Sequence, residues 1–185
     1  MKLAILVVFL TAATIVAAAP SRVAQGDVRV TCPMTTGGSF DVKTTALSGS
    51  VTPSEHHSPS FDGSFAVDLR TLDSGIDLRN DHLRGAYLEV DKAPEYQSAT
   101  LSEIELKGMN PDAPEGKASF TGSLTLHGAT KTVTGPVEVR KAGDGLRVKA
   151  SFPINLSDYN ISEPRYLGIG VKNTVQVEVN FTVAQ

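Results

Sequence analysis

Apolar and polar residues alternate along this chain with a period of two, in one segment after another. Successive side chains of an extended strand point to opposite faces, so each such segment has one dry side and one wet side. The plainest case is the last, where Val175, Val177, Val179, Phe181 and Val183 alternate with Thr174, Gln176, Glu178, Asn180 and Thr182. Phe61, Gly63, Phe65, Val67 and Leu69 face away from Asp62, Ser64, Ala66, Asp68 and Arg70. The pattern returns in Ala118, Phe120, Gly122, Leu124 and Leu126, and again in Leu146, Val148, Ala150, Phe152 and Ile154. Val28, Val30, Cys32 and Met34 share a face at the same spacing. Weaker strands at 40–52, 100–107 and 130–141 bring the expected total to about eight. Turn residues separate them, at Gly37-Gly38, Pro53-Ser54, Asn110-Pro111-Asp112, His127-Gly128 and Gly143-Asp144-Gly145. So many one-faced strands must share their apolar sides, as an antiparallel barrel or as a sandwich.

One segment breaks this rhythm. Between Asp77 and Val90, the residues Leu83, Ala86, Tyr87 and Val90 recur at helical spacing, with Ser74 or Asp77 placed to cap the start and Ala93-Pro94 to end it. This predicts one short helix inserted in an all-β chain, at a barrel mouth or against its outside. No second domain, internal repeat or low-complexity tract is visible, and 53–60 reads as a polar loop.

The first residues read as a signal peptide over 1–19. Met1 and Lys2 precede an apolar run from Leu3 to Val16, followed by Ala17, Ala18 and Ala19, with the cut after Ala18 or Ala19. The run stops at Pro20, short of the roughly 20 apolar residues that span a bilayer. The expectation is an exported protein, periplasmic or secreted, with one domain over 20–185. The formal net charge is −3, and loss of Lys2 with the leader makes it more negative. That sign and the scatter of basic residues argue against nucleic acid. Cys32 is the sole cysteine, so no internal disulfide is available and the fold must hold by burial.

Chemistry has few footholds. The chain carries no G-x-S-x-G nucleophile motif, phosphate loop or H-E-x-x-H helix. Glu55, His56 and His57 are metal-type residues, but adjacent histidines in a loop point apart and no third ligand is placed by spacing. Asp81 and His82 do not face each other as consecutive helical residues. His127 beside Gly128 reads as a turn-shaping group. The sequons at Asn155, Asn160 and Asn180 read as chance matches. The inward residues are either a packed core or the wall of a cavity, since a barrel of about eight strands admits both. Small inward residues, Gly63, Ala118, Gly122 and Ala150, hint at spare volume.

Three stretches then resemble one family. Arg79-Asn80-Asp81-His82-Leu83-Arg84, Gly122-Ser123-Leu124-Thr125-Leu126-His127-Gly128-Ala129-Thr130-Lys131, and Ile154-Asn155-Leu156-Ser157-Asp158-Tyr159-Asn160-Ile161 are similar, in order and spacing, to motifs of the YceI-like proteins. Leu156 and Asn160 stand where the third motif usually has arginine and glycine. The resemblance implies a lipocalin-like antiparallel barrel of about eight strands, whose interior takes a polyisoprenoid, quinone-like or similar long amphiphile, and the residues themselves give no reason to expect a cofactor, a catalytic site or a metal site.

Strand parity assigns the inner wall to Phe65, Val67, Leu69, Phe120, Leu124, Leu126, Val148, Phe152, Val177, Val179 and Phe181, and the helix offers His82, Arg84 and Tyr87 at the mouth. A homodimer and a transient contact with a membrane or membrane protein stay open. Two rival readings are a packed barrel serving as a protein-interaction or stress-related accessory module, and a lipid-modifying enzyme using Asp81, His82 and Arg84.

Overall fold

The computed structural model describes residues 21–53, 60–110, 115–166 and 168–184. In chain order its strands are β1 (Ser21–Pro33), β2 (Ser39–Thr44), β3 (Leu47–Pro53), β4 (Ser60–Asp68), β5 (Ser98–Lys107), β6 (Gly116–Leu126), β7 (Ala129–Ala142), β8 (Gly145–Asn155), β9 (Arg165–Tyr166), β10 (Ile169–Gly170) and β11 (Thr174–Ala184). Neighbours in the main sheet run β11, β8, β7, β6, β5, β4, β3 and β1, and β1 pairs in turn with β11 over Arg22–Thr31. All these pairings are antiparallel, so the sheet closes into a barrel, one of the two arrangements the alternation allows and the one the resemblance implies.

The expected strand over 40–52 is two pieces of one barrel strand. Thr44 lies opposite Val28 of β1, and Ser50 lies opposite Arg22 farther along the same β1. The interruption has a local cause: the Thr44 hydroxyl accepts the Ala46 N–H at 3.0 Å, a side-chain bond that competes with the ladder. The outer side of β2 is taken up instead by Asp73, whose N–H and carbonyl both pair with Lys43 at 2.8 Å.

β5 explains its own weak signal. The pairing of β5 with β6 slips between Ser102 and Glu105, and Glu103 has φ +51. One extra residue on β5 turns Leu101, Ile104 and Leu106 to the same interior, although their spacing is not a simple multiple of two. The two-residue turns fit better. His127 (φ +50) and Gly128 (φ +74) join β6 to β7 with both residues left-handed, the geometry whose twist matches a hairpin.

The helical segment is shorter than its periodicity suggests, and its cap differs. An α-helical turn (α1, Asp77–Asp81) runs into a wider π-helical turn over His82–Tyr87, which ends where the Leu88 N–H donates to the Leu83 carbonyl and Glu89 turns left-handed at φ +48. Neither Ser74 nor Asp77 caps it. Ile76 holds the cap position without a side-chain bond, because Ser74 is engaged elsewhere: its N–H and hydroxyl each reach the Asn80 Oδ1 at 2.8 Å. Asn80, only 5% exposed, donates in turn to Asp73 at 2.7 Å, so it fastens the loop that leads into the helix.

Inside the barrel, Phe120 meets Phe152 edge-on at 5.5 Å and Phe65 meets Phe181 at 4.9 Å between ring centroids. The small inward residues serve two purposes. Ala150 borders the interior space, but Gly63 and Gly122 do not open volume. A Cβ on Gly63 would stand 2.2 Å from the Ser50 carbonyl oxygen, and one on Gly122 would stand 2.9 Å from Leu101 Cδ1. These glycines let neighbouring strands approach. Gly63→Ala, which also strains φ +117, is expected to destabilise the barrel by about 2–3 kcal/mol. Gly85→Ala, with open space around its position, should be neutral or stabilise by up to about 1 kcal/mol. Urea unfolding of both variants checks the contrast.

Candidate functional site

The apolar sides of the strands touch in places, as at Phe65 and Phe181, but do not fill the barrel. They enclose a cavity of about 1020 Å³. It runs from Ser21, Leu146 and Val183 near one end to Ile76, Leu78 and Ile169 at the end that carries the helix. Its volume is at the upper end of the range typical of small-molecule sites, and most of its border is aliphatic or aromatic.

Strand parity places its residues here. Phe65, Val67 and Leu69 from β4 and the turn after it, Phe120, Leu124 and Leu126 from β6, Val148 and Phe152 from β8, and Val177, Val179 and Phe181 from β11 all border the cavity. So do His82 and Tyr87 on the helix. Arg84 differs: it is not on the cavity border, because its guanidinium donates to the Leu72 carbonyl at 2.6 and 3.2 Å and ties the helix to the preceding loop. Asp81 is also off that border, so Asp81, His82 and Arg84 are not brought together around the cavity. The Tyr87 hydroxyl accepts the Arg165 N–H at 3.2 Å, which clasps the helix to the short β9–β10 ribbon beside the opening.

Other border residues were not legible as such. Leu47 lies on the broken strand, and Leu101, Ile104 and Leu106 on the bulged one. Arg79 and Arg165 come from the helix and the ribbon. Among the described residues that border the cavity, these two arginines are the fully charged side chains, and none is a carboxylate. The Arg79 guanidinium lies 4.1 Å from the Phe40 ring centroid, a cation–π contact, while Arg165 pairs with Glu163 at 3.0 Å. Leu156, at the position where related motifs usually carry arginine, contributes another apolar border group.

Cys32 belongs to this wall. Burial, with the Asp41 charge adding to it, pushes its thiol up to about 11, so it stays protonated and behaves as a small apolar group. Glu55, His56 and His57 lie outside the described residues, and among the described residues no three His, Cys, Asp or Glu side chains are grouped to hold a metal.

A polar latch closes the outside of the same end. His127, 6% exposed, bonds through Nδ1 to the Tyr159 carbonyl at 3.0 Å and through Nε2 to Glu89 at 3.1 Å, while Tyr96 stacks on its ring at 4.4 Å. One turn residue thus joins β6, the segment after the helix and the 3₁₀ turn over Leu156–Tyr159. Asn160, which ends that turn at φ +58, occupies the position where glycine is usual, and asparagine tolerates the left-handed region.

With this geometry in hand, likeness to known proteins can be weighed. The model of the YceI-like domain family matches residues 13–183. The chain belongs to that family. A UPF0312 protein of Enterobacter sp. (strain 638) is 35% identical over 123 residues, which is 55% of this chain and 60% of that protein. A UPF0312 protein of Vibrio vulnificus (strain YJ016) is 33% identical over 102 residues, 51% of this chain and 50% of that protein. The matched stretch therefore spans between half and three fifths of these relatives. Among solved structures, Burkholderia cenocepacia BcnA superposes with a TM-score of 0.66 at 21% identity, covering 85% of this chain and 96% of that one. A polyisoprenoid binding domain from Saccharophagus degradans, implicated in plant cell wall breakdown, gives 0.66 at 16% identity, covering 89% and 97%. At such identities the superpositions establish a shared YceI-like fold.

Removal of the latch should cost stability. His127→Ala leaves the Glu89 carboxylate and the Tyr159 carbonyl without this partner and is expected to destabilise by about 2–3 kcal/mol, read by urea unfolding. The pH dependence has a defined sign. Hydrogen bonds from Lys92 first, and then from His127, hold the Glu89 carboxyl below its ordinary value of 4.5. Its contribution is therefore present above 4.5 and is lost as pH falls through the lower folded-state value. Glu89→Gln is expected to shallow the acid limb of the stability profile, measured as unfolding midpoints on both sides of that value.

Proposed function

We propose that this protein binds and carries a long apolar lipid, of the polyisoprenoid, quinone-like or similar amphiphilic type, in the barrel interior after export. The observation that carries the reading is the apolar cavity itself. Water gains little in such a space, whereas an apolar chain contributes about 0.8 kcal/mol for each methylene buried and needs hardly any polar contact. Shape favours an elongated ligand. The 11 residues of β6 at about 3.3 Å each make a strand of about 36 Å, or roughly 28 Å along the axis of a barrel tilted by about 40°. The name of the Saccharophagus domain supports the same ligand class.

Binding without turnover is the simpler account, since the helix residues suited to acid–base work do not converge on the cavity and its border is nearly all hydrocarbon. Polarity also separates this barrel from one that spans a membrane, which is apolar outside and polar within; here the strands are wet outside and dry inside. Among the described residues no helix is long and apolar enough to cross a bilayer. Export rests on the leader at 1–19, which lies outside the described residues.

Organic extraction of the purified protein followed by mass spectrometry tests the reading. A long-chain lipid in stoichiometric yield is expected, and repeated recovery of none would favour a barrel that acts by protein contact alone. A cavity-filling substitution provides the second arm. Ala150→Phe places a ring on the wall between Val137 and Val179, and is expected to weaken uptake of a fluorescent polyene roughly tenfold or more while changing stability little.

A further inference from the structure

Among the described residues, three large apolar side chains are strongly exposed: Ile76 at 49%, Leu78 at 57% and Ile169 at 48%. Single exposed aliphatics scattered over a surface are ordinary. These three are not scattered, because all of them border the cavity at its helix-bearing end, two at the start of the helix and one on the β9–β10 ribbon that Tyr87 clasps to it. Arg79 and Arg165 border the same end of the cavity, and among the described residues no carboxylate does. Asp77 and Asp81, the acidic residues of α1, lie off that border, and Glu163 is paired with Arg165.

We propose that this rim is a membrane-docking surface: Ile76, Leu78 and Ile169 enter the outer part of a lipid leaflet, and Arg79 and Arg165 meet the phosphates of anionic lipids at the headgroup level. Apolar side chains flanked by arginine are suited to that boundary, where the chains are apolar and the headgroups charged. The arrangement also solves a transport problem. A long hydrocarbon leaving a bilayer through water would expose its whole length, whereas a rim seated in the leaflet joins bilayer and cavity by an unbroken apolar path. Mode and orientation of docking rest on the lipid-carrier reading for their purpose, but not for their detection.

The chain has no tryptophan, so a single introduced indole reports on its own position. In the full-length protein, Leu78→Trp is expected to show a blue-shifted, brighter emission when vesicles of equal parts phosphatidylglycerol and phosphatidylethanolamine are added. Asp144→Trp, in the β7–β8 turn at the other end of the barrel, should show no shift. Replacement of all three rim residues by serine should lower the vesicle-bound fraction roughly tenfold, a larger factor than any change in affinity for a water-soluble short polyene. Arg79→Gln with Arg165→Gln should reduce binding to these vesicles and leave the weaker binding to pure phosphatidylcholine unchanged. Equal shifts at both indoles, no shift at Leu78→Trp, or a triple variant that binds vesicles as the parent does would overturn the proposal. Uptake of the soluble polyene is read separately: docking without uptake sinks the carrier reading and leaves the surface, and uptake without docking does the reverse.

Discussion

When β1 pairs with β11 from Arg22 to Thr31, the sheet loses both free edges and its apolar side can face only itself. The diameter of a barrel is set by strand number and stagger, so eight strands hold opposite walls apart at a distance that side chains may or may not fill. Here the walls carry Val, Leu and Phe at most inward positions, and they still leave about 1020 Å³. Closure therefore supplies stability and the cavity by one device. The hydrogen-bonded wall keeps the cavity open, and a packed core does not have to.

The two ends of that barrel are built differently. At the far end a two-residue turn, Gly143-Asp144, joins β7 to β8. At the other, the chain departs from the sheet after β4, forms the helix, and returns at β5; Leu69, Leu72, Leu88 and Val90 pack this excursion onto the core, and polar groups fasten it. Asn80 fastens the loop before the helix, Arg84 grips the Leu72 carbonyl, Tyr87 holds the β9–β10 ribbon, and His127 joins Glu89 to the Tyr159 backbone. Each motif shared with the YceI-like family supplies parts of this end: the first carries Asn80 and Arg84, the second His127, and the third Tyr159. Ile76 and Leu78 of the same segment are exposed and border the cavity.

Motif residues that look suited to chemistry thus turn out to be construction. Arg84, readable as a mouth residue, is spent on a backbone carbonyl, while its neighbour Arg79, which periodicity did not single out, borders the cavity over Phe40. Residues five apart on a helix of 3.6 residues per turn do not share a face, so the two arginines meet different surroundings. His127 is the clearest case of a turn residue whose reach exceeds its turn.

Alternation at period two was enough to determine the strands, their dry faces and the wall from Phe65 to Phe181, because the direction of a side chain from an extended backbone depends on parity alone. It could not find Leu101 with Ile104 and Leu106, since the bulge at Glu103 changes parity partway along β5, nor the break at Ala46, which comes from one hydroxyl competing with the ladder. Whether the inward faces touch was also beyond it: that is a question of the distance between strands far apart in sequence. Only closure of the barrel decided it, and only the fold of the 69–97 excursion gathered Ile76, Leu78, Arg79, Arg165 and Ile169 around one opening.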